Sequence, residues 1–415
     1  MAISIPARSE MMKEIYEYLE KNWNECIREN RIDEDTLIGL PYPYTVPSTE
    51  SFDELYYWDT YFTNVGLLKF DKPLLAKHNV DNMLYLVDKF GLMPNGNRTF
   101  YLNRSQPPFL SEMVKDVYEY YKDKTWLLGA YETLKTEHYF WQNKRISDMG
   151  LNHYDTDRTD DELPDYVQGF VDRVGIKPDG MSDVEIGRHA LAESESGWDM
   201  NPRLDFDAYN FAAVDLNSLL YQLESNMAYF ASVLGKTDEG KAWEDYAEKR
   251  LELMNKYMLN EENLFFDYNF KTGKNSDVFS IASCFPLYVK AATDKQAEAF
   301  VKNLSRLEED YGVATCEKGS GKGLAYQWDY PNGWSCLEYI VVRGLLNYGY
   351  IEDGKRIAEK YVKLVEKVFK ETGHLWEKYN VVEGNINVSN EYKMPTMLGW
   401  SAGVYVALKN LTIIN

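Results

Sequence analysis

Two carboxylates stand next to tryptophan in settings suited to proton transfer. Asp199 closes the run Glu195-Ser196-Gly197-Trp198-Asp199, and Glu377 sits within Leu375-Trp376-Glu377-Lys378-Tyr379. An apolar ring beside a carboxyl group desolvates its charged form and raises its pKa, as a general acid requires. The chain carries 66 acidic residues, so residue type and spacing alone leave the pairing open. A third carboxylate, Asp59, lies in Leu55-Tyr56-Tyr57-Trp58-Asp59-Thr60-Tyr61-Phe62. A carboxylate between rings can accept vicinal hydroxyls while a ring covers a sugar face. The commoner arrangement with such residues is a helix start with a capping Asp and a buried aromatic face.

Two polar loops add hydroxyl partners. In Gln327-Trp328-Asp329-Tyr330-Pro331-Asn332-Gly333-Trp334 a Pro-Asn-Gly turn is packed between tryptophans. Pro94-Asn95-Gly96 and Arg104-Ser105-Gln106-Pro107-Pro108 form the second; Arg104 can bind a hydroxyl or brace a carboxylate there. Other chemistries are thinly supported. The five histidines are scattered, and no H-x-x-x-H pair, G-x-S-x-G elbow or phosphate loop is present. Neither a metal nor an organic cofactor is expected. The acidic stretch Asp155 to Asp165 departs from the calcium-loop pattern and reads as a solvated loop.

Composition narrows the partners. A net charge of −21 repels nucleic acid and anionic membrane surfaces. No apolar run is long enough to span a bilayer. With 33 Tyr and 10 Trp, a pocket for a small neutral sugar stands beside the plainer reading of an aromatic core between helices. Cys26, Cys284, Cys316 and Cys336 show no metal-ligand spacing and read as free thiols. The first residues turn charged at once, without the apolar core of a signal peptide. These features together predict a cytoplasmic protein.

Helices must position these residues. Met12, Ile15, Tyr16, Leu19, Trp23, Cys26 and Ile27 follow one buried helix face, and Leu216 to Leu234 another, with Gly235 at its end. Similar spacing recurs near 73–90, 107–122, 124–142, 238–258, 293–306, 335–348, 353–370 and 399–410. About twelve helices, many in adjacent pairs, predict an all-α fold, either an (α/α)6 barrel (α-toroid) with long active-site loops or an irregular bundle. The longest loop spans 150–212. No Pro-, Gly- or Ser-rich linker interrupts the chain. A single domain over 1–415 is expected, with an N-terminal helix at about 8–30 packed on it.

The blocks FDELYYWDTYF, PNGNRTFYLNRSQPP, ESGWD, QWDYPNGW and EKY occur in the order found in trehalases, the inverting α,α-trehalose hydrolases, and the chain resembles that family over roughly 40–410. The resemblance implies the (α/α)6 barrel. It also implies Asp199 as general acid and Glu377 as general base. Phe52, Trp58 and Asp59 match pocket residues of the first signature, and Asn95, Arg104, Ser105 and Gln106 those of the second. Gly197 precedes the acid, Gln327 lies in the third signature, and Glu391 matches a late pocket glutamate. Tyr56, Trp198 and Trp334 are the aromatic neighbours in these blocks and complete the expected substrate set.

The departures are specific. Ser51 stands where the family has a sugar-contacting arginine. Leu163-Pro164-Asp165-Tyr166 stands where it has R-P-E-S-Y, again without the arginine. Asn385 to Asn390 replaces a Gly-rich loop. Trehalose hydrolysis is therefore the first expectation. The same inverting chemistry on kojibiose, a glucosylglycerate-type solute or a short α-gluco-oligosaccharide is the second. A sugar epimerase or lyase on the same barrel is the third, and sparse histidine weighs against it.

Overall fold

The structure is a computed structural model and describes residues 10–324 and 326–413. Fourteen α-helices lie among them: α1 Glu10–Glu25, α2 Tyr57–Leu67, α3 Pro73–Phe90, α4 Leu110–Tyr121, α5 Lys124–Lys144, α6 Val167–Val174, α7 Asp183–Ser196, α8 Val214–Leu234, α9 Thr237–Tyr257, α10 Phe285–Tyr288, α11 Asp294–Asn303, α12 Ser335–Asn347, α13 Ile351–Thr372 and α14 Trp400–Ile413. Local signals set many of the ends. Pro73 occupies the first turn of α3, Asp123 caps α5, and Thr293 with Gln296 forms a capping box on α11. Gly235 ends α8 at the place its position in the sequence suggests.

Six helices form a closed inner ring. α2 packs on α4, α4 on α8, α8 on α10, α10 on α12, α12 on α14, and α14 returns to α2. α3 lies outside α2 and α4, α5 outside α4 and α8, α9 on α8, α13 outside α12 and α14, and α1 on α13. This is the (α/α)6 toroid. The inner helix α2 is buried all round, with every residue but Asp59 covered. Outer helices are amphipathic, as α13 shows by burying Ile357, Tyr361, Leu364, Val365 and Val368 on one face. The closing contact needs glycine on both sides. A Cβ on Gly66 of α2 would lie 2.4 Å from the Gly403 Cα of α14, so any side chain there would force the ring open.

Two segments differ from the sequence-based expectation. The predicted loop 150–212 contains α6 and α7, which pack on each other outside the ring around a small separate core of Phe170, Val174, Ile186, Ala190, Met200 and Tyr326. The apolar period is masked in α7 because its buried face includes His189, Glu193, Glu195 and Ser196. A legible signal was the capping box of Ser182 and Glu185. The N-terminal helix ends at Glu25, short of 30, because Ile27–Arg28 pairs antiparallel with Tyr44–Thr45; residues 8 and 9 lie outside the described residues. Trp23 of this helix donates its indole N–H to the Leu398 carbonyl at 2.6 Å, fastening the start of the chain beside α14.

Candidate active site

Three loops and the start of α2 bring the acidic residues to one mouth of the ring. Asp59 lies in the first turn of α2. Asp199 follows α7 by way of Gly197, whose φ of +72° is left-handed. That glycine also fits the chain against Trp58, since a Cβ there would lie 2.8 Å from the Trp58 Cε2. Glu377 immediately precedes the strand Lys378–Asn380, which pairs with Asn332–Trp334. The pairing joins the EKY and QWDYPNGW blocks into one wall. Beneath them tryptophans form a floor. Trp328 stacks on Trp334 at 3.7 Å with the planes 2° apart, while Trp58 and Trp198 lean on Trp328 and Trp400 meets Trp58, Trp328 and Trp334 edge-on.

The two tryptophan-flanked carboxylates have different surroundings. Asp199 sits deep in the molecule, yet its side chain is 32% exposed; exposed surface at depth means an open cleft. Burial raises its pKa above the ordinary aspartate value, and Arg173 and Arg104 pull it partly back. Arg173 Nη1 donates to Asp199 Oδ2 at 3.1 Å. Glu377 is 2% exposed. Its Oε2 accepts from the Lys378 Nζ at 2.8 Å and its Oε1 from the Tyr392 hydroxyl at 2.6 Å. Lys378 also reaches the Gln327 Oε1 at 3.2 Å and lies over the Trp334 ring.

A continuous chain of contacts links the pair. Arg173 bridges Asp199 and Glu391, the latter at 3.7 Å, and the next residue, Tyr392, holds Glu377. Asp59 is within electrostatic reach of both Asp199 and Glu377, and burial pushes its carboxyl up to about 8. Burial and the neighbouring Asp199 push Glu391 up to about 8 as well. Both oxygens of Glu391 are buried without a hydrogen-bond partner. Such groups are costly unless something else supplies donors.

The other expected residues take varied places. Phe52 meets Tyr56 and Tyr392 edge-on, at the rim. Tyr56 donates to Glu54 at 2.8 Å. Arg104 lies over the Tyr101 ring and donates to Asn103 at 3.0 Å, leaving its Nε without a partner. Ser105 and Gln106 brace the loop: the Ser105 hydroxyl donates to the Met93 carbonyl and its N–H to Glu195, while Gln106 Oε1 accepts from the Trp58 N–H. The Asn95 amide reaches the Ser194 carbonyl at 3.5 Å. Trp198 and Trp334 belong to the buried floor. Trp198 packs under Arg203, which is paired with Asp215 and Asp267.

Sequence adjacency misleads at one point. The Trp376 ring turns away toward Thr372 and His374 at the end of α13, and the aromatic residue that meets the Glu377 carboxylate is Tyr392 instead. Arg173, Lys378 and Tyr392 were not singled out as site residues from sequence. Lys378 was readable within EKY; Arg173 carries no motif. In the acidic loop, Asp155 pairs with Arg188 and Asp157 with Arg145.

A helical toroid whose mouth gathers carboxylates over an aromatic floor suits the chemistry of a glycoside hydrolase. The trehalase family model matches residues 4–414, and the chain belongs to that family. It is 32% identical to the periplasmic trehalase of Xanthomonas oryzae pv. oryzae, over 95% of this chain and 73% of the relative. The periplasmic trehalase of Xanthomonas campestris pv. campestris is equally similar. Among solved structures, the neutral trehalase of Saccharomyces cerevisiae superimposes with a TM-score of 0.76 at 28% identity, covering 90% of this chain and 74% of that one. A mannosylglycerate hydrolase of Thermus thermophilus shares the fold, at 16% identity and a TM-score of 0.66, over 95% of this chain and 100% of that one. The chain is a glycoside hydrolase that hydrolyses trehalose.

The expected cytoplasmic location is corrected by the bacterial relatives, which are named periplasmic trehalases and point to the periplasm. The physical reason for the error lies in the thiols. All four cysteines are buried, and buried thiols with raised pKa values resist oxidation in any compartment. They carried no information on location. No helix among the described residues is long and apolar enough to cross a membrane.

Proposed function

We propose that Asp199 is the general acid and Glu377 the general base of an inverting hydrolysis of α,α-trehalose. Asp199 gives its proton to the glycosidic oxygen as the bond from that oxygen to the anomeric carbon breaks. A water attacks the same carbon from the opposite face, and Glu377 takes the proton that water loses. In inverting enzymes such a pair stands roughly 6.5–9.5 Å apart, leaving room for the water. The observation that carries the assignment is the asymmetry of the pair. Burial in an open cleft favours the protonated form of Asp199. Glu377 is fixed by an ammonium and a phenol as an acceptor, the role a base plays toward water. Asp59, Arg104, Gln327 and Glu391 would hold sugar hydroxyls, and the whole chain 1–415 would act as one catalytic domain. Its main core runs from Met12 to Leu408.

The test is NMR of fresh products before mutarotation. One α- and one β-glucose per bond cut is expected; two α-glucoses would sink the inverting assignment. A panel including kojibiose, glucosylglycerate and short α-gluco-oligosaccharides should show trehalose preferred.

A further inference from the structure

We propose that Arg173, delivered by the peripheral helix α6, is a substrate-gated positioning residue. It holds Asp199 in the free enzyme and passes to a sugar hydroxyl when substrate binds. This rests on the assignment of Asp199 as the acid. Three observations lead to it. The Arg173 guanidinium lies between two carboxylates, 3.1 Å from Asp199 and 3.7 Å from Glu391. Its side chain is 39% exposed, so it faces the cleft and is open to a ligand. Glu391, beside it, is 2% exposed and has no hydrogen bond to either oxygen.

The chemistry follows from what a hydroxyl is. It donates one hydrogen and accepts others. One substrate hydroxyl can therefore donate to the orphaned Glu391 and accept from Arg173, satisfying both. Arg173 then no longer donates to Asp199. A cationic donor on a carboxylate stabilises its ionised form, and a general acid must begin the reaction protonated. Substrate binding thus frees Asp199 to keep its proton beside the glycosidic oxygen. Phe170 and Val174 of α6 anchor Arg173 through the small core shared with Ile186 and Ala190 of α7, the helix that ends at Gly197 just before the acid. The same helix pair therefore sets both partners of the switch.

The groups facing Asp199 bound the effect. Arg173 comes from α6 and Arg104 from the loop before α4. Asp59 of α2 and Glu193 of α7 sense its charge, as do Tyr101, Glu391 and Tyr392. With Arg173 removed, Arg104 is the cation left to offset the acidic groups around Asp199, so Asp199 holds its proton more firmly.

The full-length wild type, Arg173→Gln and Arg173→Lys are compared for kcat, KM and the pH profile of kcat/KM on trehalose. Arg173→Gln should raise KM by about tenfold or more, the scale of a lost hydrogen bond to a charged group. Its alkaline limb, which reports loss of the acid's proton in the free enzyme, should move to higher pH. Arg173→Lys keeps the charge without the fork; its limb should stay near wild type while KM is only partly restored. Arg173→Gln with an unmoved limb and unchanged KM, or with only a smaller active fraction, overturns the inference. A wild type that releases no glucose from trehalose overturns the functional reading beneath it instead.

Discussion

Asp199 and Glu377 lie within one chain of contacts but in unlike settings. The Glu377 side of the cleft is built into the barrel: a strand pair, a buried lysine and a phenol fix both carboxylate oxygens. The Asp199 side hangs from α7 on a left-handed glycine. It is a third exposed and held by one arginine from outside the ring. The difference fits the two proposed roles, Glu377 as base and Asp199 as acid. A base must aim at one water, and fixed orientation serves it. An acid must regain a proton each turnover, which needs an open path and a group free to change charge.

The comparison can be broken most directly at the carboxylates. Asp199→Asn and Glu377→Gln should each lower kcat on trehalose by about 10²–10⁴-fold or more. With α-glucosyl fluoride, whose leaving group needs no proton, the Asp199 variant should recover much of its loss and the Glu377 variant should not. Equal losses on both substrates would remove the distinction.

On the clamped side, Tyr392→Phe deletes one hydrogen bond to a charged oxygen. A fall in kcat of roughly 10–100-fold is expected, from about 1.5–3 kcal/mol for such a bond. On the open side, Gly197→Ala meets both the φ of +72° and the Trp58 ring. A stability loss of about 1–3 kcal/mol should accompany a drop in kcat as Asp199 is displaced, read by thermal unfolding alongside kinetics.

Stability should also report the strained charges at the mouth. Asp59 and Glu391 have carboxyls raised from 3.8 and 4.5 to about 8 in the folded protein. The folded state then binds protons the unfolded chain has released. Their contribution is complete below about pH 4 and is lost as pH rises through 8. Tm should fall across pH 4–8, and Asp59→Asn or Glu391→Gln should flatten that slope, by on the order of 2 °C each. The smallest effect belongs to Trp376→Phe. Its ring faces α13, so kcat should stay within about twofold of wild type, matching the roughly ±0.5 kcal/mol typical of substitutions away from special features. A loss of about tenfold or more would restore Trp376 as a ring that acts on its neighbour Glu377.

Much of the barrel was legible because its helices bury apolar residues at helical spacing. α3, α8, α9, α12 and α13 lie within a few residues of their predicted spans. α6 and α7 were not legible, because α7 turns His189, Glu193 and Glu195 inward, and polar residues on a buried face erase the signal that periodicity reads. The signature blocks come together at one mouth of the ring, but they do not reveal the part each residue plays there. Ser105 and Gln106 brace a loop, and Trp198 and Trp334 lie in the floor, where a residue list cannot separate lining from support.

By itself the sequence determined a helix-dominated fold and, through its signature blocks, the family with the toroid that goes with it, because apolar period and motif are local properties of the chain; it also marked Asp199 and Glu377 as candidates. Tertiary structure alone decided what surrounds each carboxylate. Lys378 and Tyr392 meet Glu377 because two strands and a late loop converge, and Arg173 reaches Asp199 because α6 packs back on α7. Electrostatic environment depends on distance through space, and residues far apart along the chain set it.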